Sequence, residues 1–92
     1  MNDKISTELK IINERGLHAR AAANFVKTIE NLDAVVEVER LGQCVGGCSI
    51  MGLMMLAAGK GTTIKVSASG KEAEKALSAL TTLINNKFGE EK

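Results

Sequence analysis

Three short segments of this chain alternate apolar and polar residues, which is the period of a β-strand with one wet face. They are Ile5 to Ile11, Ala34 to Glu39 and Thr63 to Ala68. A further strand, Gln43 to Val45, follows the second across a turn at Leu41-Gly42, where the glycine can support a short hairpin. Strands that are apolar on one side need cover on that side only, so the pattern predicts a sheet with a single buried face.

Three segments with apolar residues at helical spacing supply this cover. The apolar stripe of the first consists of Ala22, Phe25, Val26, Ile29 and Leu32. The second runs from Ile50 to about Ala58 behind the N-cap residue Ser49, and the third and longest begins near Ala73. The order β-α-β-β-α-β-α predicts an α+β fold, an open-faced β-sandwich in which a four-stranded antiparallel sheet carries three helices on one face.

Length and charge exclude several classes of function. The 92 residues suffice for one core, so we expect a single domain over residues 1–92. A net charge of +1 and only two aromatic residues provide neither the field nor the stacking surface that nucleic acids require. No segment approaches the ~20 apolar residues of a membrane span. The start Met1-Asn2-Asp3-Lys4 also lacks an export signal, and we therefore expect a cytoplasmic protein without membrane insertion.

The two cysteines, Cys44 and Cys48, are interpreted as small apolar fillers near a strand end. A bridge between them would close a very short loop, and the cytoplasm keeps such thiols reduced. Together with His18 they would still lack an obvious fourth ligand for tetrahedral zinc. The sequence therefore predicts no metal site, and nothing in it calls for a cofactor.

The only histidine lies where a loop becomes a helix. Gly16 allows the backbone to turn and the run from Ala19 to Ala23 favours a helix, so His18 should stand at the helix start. Unpaired backbone N–H groups and the positive end of the dipole favour a phosphate there, and Arg20 adds a forked, permanently charged donor. A lone histidine in such a place is more often an ordinary surface residue, so this stretch alone leaves the function open.

A second stretch of sequence reduces the number of functions that the chain could have. Gly16-Leu17-His18-Ala19-Arg20 and Cys48-Ser49-Ile50-Met51-Gly52-Leu53-Met54-Met55-Leu56, in this order and spacing, resemble HPr, the phosphocarrier family of the bacterial sugar phosphotransferase system. The resemblance extends from about Lys4 to Phe88 and implies the same open-faced fold. It also implies a monomeric carrier that is a substrate of other enzymes and not a turnover catalyst.

The resemblance assigns roles to the first stretch. His18 would accept a phosphoryl group on Nδ1 from phospho-enzyme I and pass it to the IIA domains of sugar permeases. Arg20 would balance the phosphate charge, and the backbone N–H groups of Ala19, Arg20 and Ala21 would bind its oxygens. Ala21 departs from the family pattern, which usually has proline. The change loosens the loop but adds a donor, and these two effects on transfer oppose each other.

The second stretch suggests regulation and docking. Members with Ser-Ile-Met-Gly resemble those modified by HPr kinase/phosphorylase, which implies phosphorylation of Ser49 and a carbon-control regulator as a further partner. A basic residue often precedes this serine, whereas Cys48 stands here, and a role as N-cap alone also explains Ser49. Ile50, Met51 and Met54 are expected to form a docking surface, because flexible thioethers suit several partners; the alternative is that they fill an ordinary core.

Other functions fit less well. A phosphate-binding loop at Gly52 to Lys60 has the wrong glycine spacing, and no carboxylate pair or Ser-His-Asp order accompanies His18. An RNA-binding sheet would need exposed aromatic residues on its strands. Two alternatives remain within the family: a carrier of the nitrogen-regulatory phosphotransferase branch, and a mainly regulatory protein acting through Ser49.

Overall fold

The computed structural model describes residues 4–92. The strands are β1 (Ile5–Lys10), β2 (Val35–Arg40), β3 (Gln43–Gly46) and β4 (Thr63–Ser69). The helices are α1 (Ala19–Ile29), α2 (Ile50–Met55) and α3 (Ala73–Asn85), and a 3₁₀ turn, Lys87–Gly89, follows α3. The predicted element order and the open-faced α+β sandwich are both confirmed.

The four strands form one antiparallel sheet in the order β1-β4-β2-β3. Its register places Leu9 opposite Ile64 and Val38 opposite Val66, and all four side chains are buried. Because side chains alternate along a strand, the residues between them point to the opposite face of the sheet, where Glu8 and its partner Lys65 are exposed. The helices therefore cover one face of the sheet only.

Helices α1 and α3 pack against each other over this apolar face. Phe25 of α1 and Leu80 of α3 are both fully buried. Burying aromatic and aliphatic side chains of this size contributes about 1.5–3 kcal/mol each. The start of α1 is therefore held in place by packing along the length of the helix. None of the helices between residues 4 and 92 has the length and apolar composition that a membrane span requires.

Helix α2 is shorter than its apolar pattern predicts. It ends at Met55 and not near Ala58, because Ala57 adopts a left-handed conformation with φ of 52°. The chain then turns inward, Ala58 is buried, and its carbonyl accepts a hydrogen bond from the backbone N–H of Leu17 at 2.9 Å. The early end of α2 thus links this helix to the loop that carries His18.

The sequence analysis expected the two cysteines to be small apolar fillers, and this interpretation is wrong. Cys44, on the edge strand β3, and Cys48, in the turn after it, are both free and exposed. The inner side of this short strand is occupied by Val45, which packs against the core. Because side chains alternate along a strand and Val45 points towards the core, its neighbours Cys44 and Gly46 face solvent.

Gly16 lies against the backbone at the end of α2. Its φ is +67°, and a methyl group on its Cα would lie 2.6 Å from the carbonyl oxygen of Ala58 and 2.8 Å from the Cα of Gly59. Neither neighbour is the end of a flexible side chain, so a larger residue would force the two segments apart. The position therefore requires glycine for its conformation and for its space.

We expect Gly16→Ala to lower the free energy of unfolding by about 2–4 kcal/mol, because it combines backbone strain with a steric clash. Gly42→Ala is the matched control, since Gly42 has φ of +83° and, among residues 4–92, no atom lies within 4 Å of the added methyl group; it should cost about 1 kcal/mol. Urea denaturation followed by circular dichroism measures both. Equal losses would show that the contact with Ala58 is not what makes Gly16 necessary.

Candidate functional site

His18 is the N-cap residue of α1, as the sequence predicts. Its backbone is extended, with φ of −81° and ψ of −178°, and its carbonyl accepts the first helical hydrogen bond from the N–H of Ala22 at 2.8 Å. Its side chain makes no capping bond, so the ring is free for other contacts. By helix geometry, the N–H groups of the first turn, Ala19 to Ala21, have no partner within the helix.

The predicted phosphate-binding residues differ in their access to solvent. Ala19 and Arg20 are exposed, whereas Ala21 is fully buried. The side chain of His18 is 20% exposed, so the ring is reachable at the surface but contacted on other sides.

The main contact of the ring comes from the C-terminal segment, to which the sequence analysis assigned no role. The Nε2 atom of His18 lies 2.5 Å from Oε2 of Glu90. The other carboxylate oxygen of Glu90 accepts a hydrogen bond from Nδ2 of Asn13 at 3.0 Å. No local pattern signals this contact, because His18 and Glu90 are 72 positions apart in the chain.

A reversal after α3 brings Glu90 to the histidine. Lys87, Phe88 and Gly89 all have positive φ, and Phe88 is buried to 3% exposure. The carbonyl of Phe88 accepts a hydrogen bond from the side chain of Asn24 on α1 at 3.3 Å. Two residues beyond Glu90, the carbonyl of Lys92 accepts a bond from the N–H of Glu14. The end of the chain is therefore attached on both sides of Glu90.

A surface cavity of about 330 Å³ lies between this segment and the loop before α1. Arg15, Arg20 and Lys92 are among the residues that line it, together with Glu90. Three positive side chains thus border one opening together with three acidic ones, and Glu90 connects this opening to the ring of His18. Arg15 and Lys92 were not singled out from the sequence, because neither lies within the helix that starts at His18.

Opposing influences set the pKa of Glu90. Partial burial raises the pKa of its carboxyl, whereas the hydrogen bonds from His18 and Asn13 and the charge of Arg15 lower it. The balance leaves the pKa of Glu90 below its ordinary value of 4.5, so the side chain is an anion at neutral pH. An ionised carboxylate accepts hydrogen bonds only, so the proton between Nε2 and Glu90 is supplied by the ring.

Helix α2 presents the second predicted site. Ser49 is exposed, and its Oγ accepts a hydrogen bond from the N–H of Gly52 at 3.0 Å, so it is the N-cap of α2. The three predicted docking residues are exposed: Ile50 to 40%, Met51 to 71% and Met54 to 41%. Met55, which the sequence analysis did not include, is exposed to 65%.

The inner side of α2 explains this exposure. Leu53 and Leu56 are buried, as expected, and they take up the side of the helix that faces the core. The alternative that the methionines fill an ordinary core does not fit these values. Because α1 and α2 pack against each other, the apolar surface of α2 lies on the same side of the sheet as His18.

Comparison with known proteins identifies similar sequences over nearly the whole chain. The family model described as "PTS HPr component phosphorylation site" matches residues 5–86. The phosphocarrier protein HPr of Pseudomonas aeruginosa is 51% identical over 84 residues, which cover 90% of this chain and 93% of that protein. The phosphocarrier protein NPr of Shewanella violacea is 34% identical over 87 residues, covering 95% and 96%.

Solved structures have the same fold. The crystal structure of HPr-C-His from Thermoanaerobacter tengcongensis superposes with a TM-score of 0.91 at 42% identity, covering 96% of this chain and 99% of that one. A second structure from the same organism, described as an HPr dimer, gives a TM-score of 0.75 at 44% identity, with coverage of 89% and 94%. Both likenesses cover most of this chain.

The lowered pKa of Glu90 predicts a pH-dependent contribution to stability. A carboxyl group with a depressed folded pKa stabilises the fold above its unfolded pKa of 4.5, and this contribution is lost as the pH falls through the lower folded value. We expect Glu90→Gln to lower the free energy of unfolding by about 1–2 kcal/mol near neutral pH, with the difference closing in acid.

Urea denaturation of both proteins at a series of pH values measures this difference. Glu91→Gln is the control, since Glu91 is exposed and forms no hydrogen bond or ion pair within residues 4–92. A difference between wild type and Glu90→Gln that persists unchanged well below pH 4.5 would contradict the prediction.

Proposed function

The chain belongs to the HPr family of phosphocarrier proteins of the phosphotransferase system, and we propose that it carries the phosphoryl group on Nδ1 of His18. Phospho-enzyme I would supply the group and the IIA domains of sugar permeases would receive it. The observation that carries the proposal is the placement of the ring at the start of α1, with Nε2 occupied by Glu90. Within residues 4–92, no hydrogen bond engages Nδ1.

The transfer is a direct exchange of bonds to phosphorus. The lone pair of Nδ1 attacks, the new nitrogen–phosphorus bond forms, and the bond to enzyme I breaks as its electron pair returns to that enzyme. Charge on the phosphoryl oxygens would be stabilised by the N–H groups of Ala19 and Arg20, which have no partner within the helix, and by the guanidinium of Arg20. Arg20 forms no ion pair in the described part of the chain, so its guanidinium is available for this role.

The N–H of Ala21, a fully buried residue also predicted as a donor, would take part only if the ring and its phosphate lie close over the first turn. In each round the protein is modified by one enzyme and restored by the next acceptor. It therefore acts as a carrier and not as a turnover catalyst, and the expectation of a monomer stays a prediction.

Ser49 is proposed as a regulatory phosphorylation site for HPr kinase/phosphorylase, with a carbon-control regulator as the partner of the modified form. Its exposure supports access by a kinase, and the start of α2 tolerates negative charge because charge and dipole agree. The cysteine before it, in place of a basic residue, weakens the resemblance to known kinase substrates.

The two modifications provide reciprocal controls. With phosphoenolpyruvate and enzyme I, wild type and Ser49→Ala should acquire an acid-labile phosphate, and His18→Ala should acquire none. With HPr kinase and ATP, wild type and His18→Ala should acquire an acid-stable phosphate, and Ser49→Ala none. Intact-mass spectrometry before and after acid treatment measures both. Acid-labile labelling of His18→Ala would remove the carrier proposal, and acid-stable labelling of Ser49→Ala would remove the regulatory one.

Ile50, Met51 and Met54 are proposed as the surface on which enzyme I and the IIA domains dock. Apolar side chains exposed together on one helix are typical of a protein contact surface, and thioethers adapt to more than one partner. Their proximity to the start of α1 would bring a docked partner close to His18. Met55 is exposed beside them and extends the same surface.

We expect the double variant Met51→Ser/Met54→Ser to raise the KM for phospho-enzyme I about tenfold with little change in kcat, because it removes binding contacts without touching His18. Val35→Ser is the control, since Val35 is 69% exposed but lies on the open face of the sheet. Initial rates of phosphoryl transfer give both constants. An equal rise in KM for Val35→Ser would mean that docking does not depend on α2.

The likeness to an NPr protein supports a second candidate, the carrier of the nitrogen-regulatory branch. The higher identity to an HPr protein favours the sugar branch, at 51% against 34%. Transfer from the phosphorylated protein to a purified sugar IIA domain and to a nitrogen-branch IIA domain, measured side by side, distinguishes them.

A further inference from the structure

We infer that Glu90 is a positioning residue that holds the ring of His18 with a proton on Nε2 and the lone pair of Nδ1 free for the incoming phosphoryl group. The inference rests on the proposed carrier function. It adds to that function a residue of the C-terminal segment, outside both sequence stretches that suggested the family.

The hydrogen-bonding chemistry of the pair selects one tautomer. A neutral imidazole carries its single proton on either nitrogen, and the partner of one nitrogen decides which. Glu90 reaches Nε2 with a carboxylate oxygen at 2.5 Å, and an ionised carboxylate can only accept. The proton therefore resides on Nε2, and Nδ1 of the neutral ring is left as an unprotonated nucleophile.

The carboxylate is itself held in place. Its second oxygen accepts a bond from Nδ2 of Asn13, and the same amide nitrogen donates to the carbonyl of Gly16 at 2.9 Å. Asn13 is fully buried, and its Oδ1 has no partner within residues 4–92. A buried amide that uses its nitrogen twice and leaves its oxygen unpaired indicates that the two donated bonds are the reason for its orientation.

The backbone delivers Glu90 to the ring at a defined position. Phe88 is buried two residues before it, and the carbonyl of Lys92 accepts a bond from Glu14 two residues after it. Both attachments are made to the loop before α1 or to the core beneath α1. The carboxylate is thus part of the folded structure, whereas the neighbouring Glu91 is exposed.

Glu90 also meets the charge that the reaction creates. When Nδ1 forms its bond to phosphorus while Nε2 keeps its proton, the ring becomes positively charged. The carboxylate already lies against Nε2, so it stabilises this charge as it develops, without a proton changing place. The interaction is stronger in the transition state than before transfer, which is the condition for an effect on rate.

The experiment combines a tautomer measurement with kinetics. The protein is labelled with ¹⁵N in its histidine, and long-range proton–nitrogen spectra report which ring nitrogen carries the proton. In wild type and in Glu91→Gln we expect the form protonated on Nε2. In Glu90→Ala we expect a mixture of tautomers, and kcat for transfer from phospho-enzyme I should fall about tenfold with KM little changed.

The variant Glu90→Gln distinguishes the role of residue 90 as a hydrogen-bond acceptor from the role of its negative charge. Its amide oxygen can still accept from Nε2, so the tautomer should remain that of wild type, whereas the lost charge should place kcat between wild type and Glu90→Ala. This variant also keeps the test valid if Glu90→Ala does not fold. An unchanged tautomer in folded Glu90→Ala, or a wild-type kcat in both variants, overturns the inference.

A failure of the proposed carrier function would give a different result from a failure of the inference on Glu90. If wild type accepts no phosphate from enzyme I, the carrier proposal fails, and the tautomer comparison still decides whether Glu90 positions the ring. A general effect of charge near the chain end is recognised because Glu91→Gln would then change the tautomer as Glu90→Ala does, and this result also counts against the inference.

Discussion

The close approach of Gly16 to the backbone at Ala58 determines where the reactive histidine can stand. This contact brings the loop before α1 against the end of α2, and a hydrogen bond from Leu17 to the same carbonyl closes it. Any side chain at Gly16 would separate the two segments. Because α1 starts three residues later, the contact fixes the position of His18 relative to the sheet and to the exposed surface of α2.

The site combines three parts of the chain that are far apart in sequence. The loop supplies Asn13, the start of α1 supplies His18 and Arg20, and the C-terminal segment supplies Glu90. The packing of α1 against α3 and the turn after α3 bring the first and last of these together, since the carbonyl of Phe88 accepts a hydrogen bond from the side chain of Asn24 on α1. The ring of His18 is thus contacted on several sides and still accessible from solvent. This arrangement suits a side chain that must react with two partner proteins in turn.

Charge in this site is balanced and not uniformly positive. Arg15, Arg20 and Lys92 border the cavity together with Glu14, Glu90 and Glu91, and the anion Glu90 also contacts the ring. A purely cationic site would hold a phosphoryl group firmly. A carboxylate that stabilises the ring but repels phosphate oxygens favours a bond that forms and also breaks, which is what transfer to a further acceptor requires.

The sequence alone determined the element order, the buried faces and the position of His18, since these depend on periods of two and 3.6 residues and on helix-start signals that act over a few positions. It failed where a contact overrode a local signal. Ala57 ends α2 early in a left-handed conformation, and Cys44 and Cys48, expected as small apolar fillers, are exposed. Only the tertiary structure decided that Glu90 meets His18, because that contact depends on how a turn at the chain end packs against a loop near its beginning, and no local pattern records it.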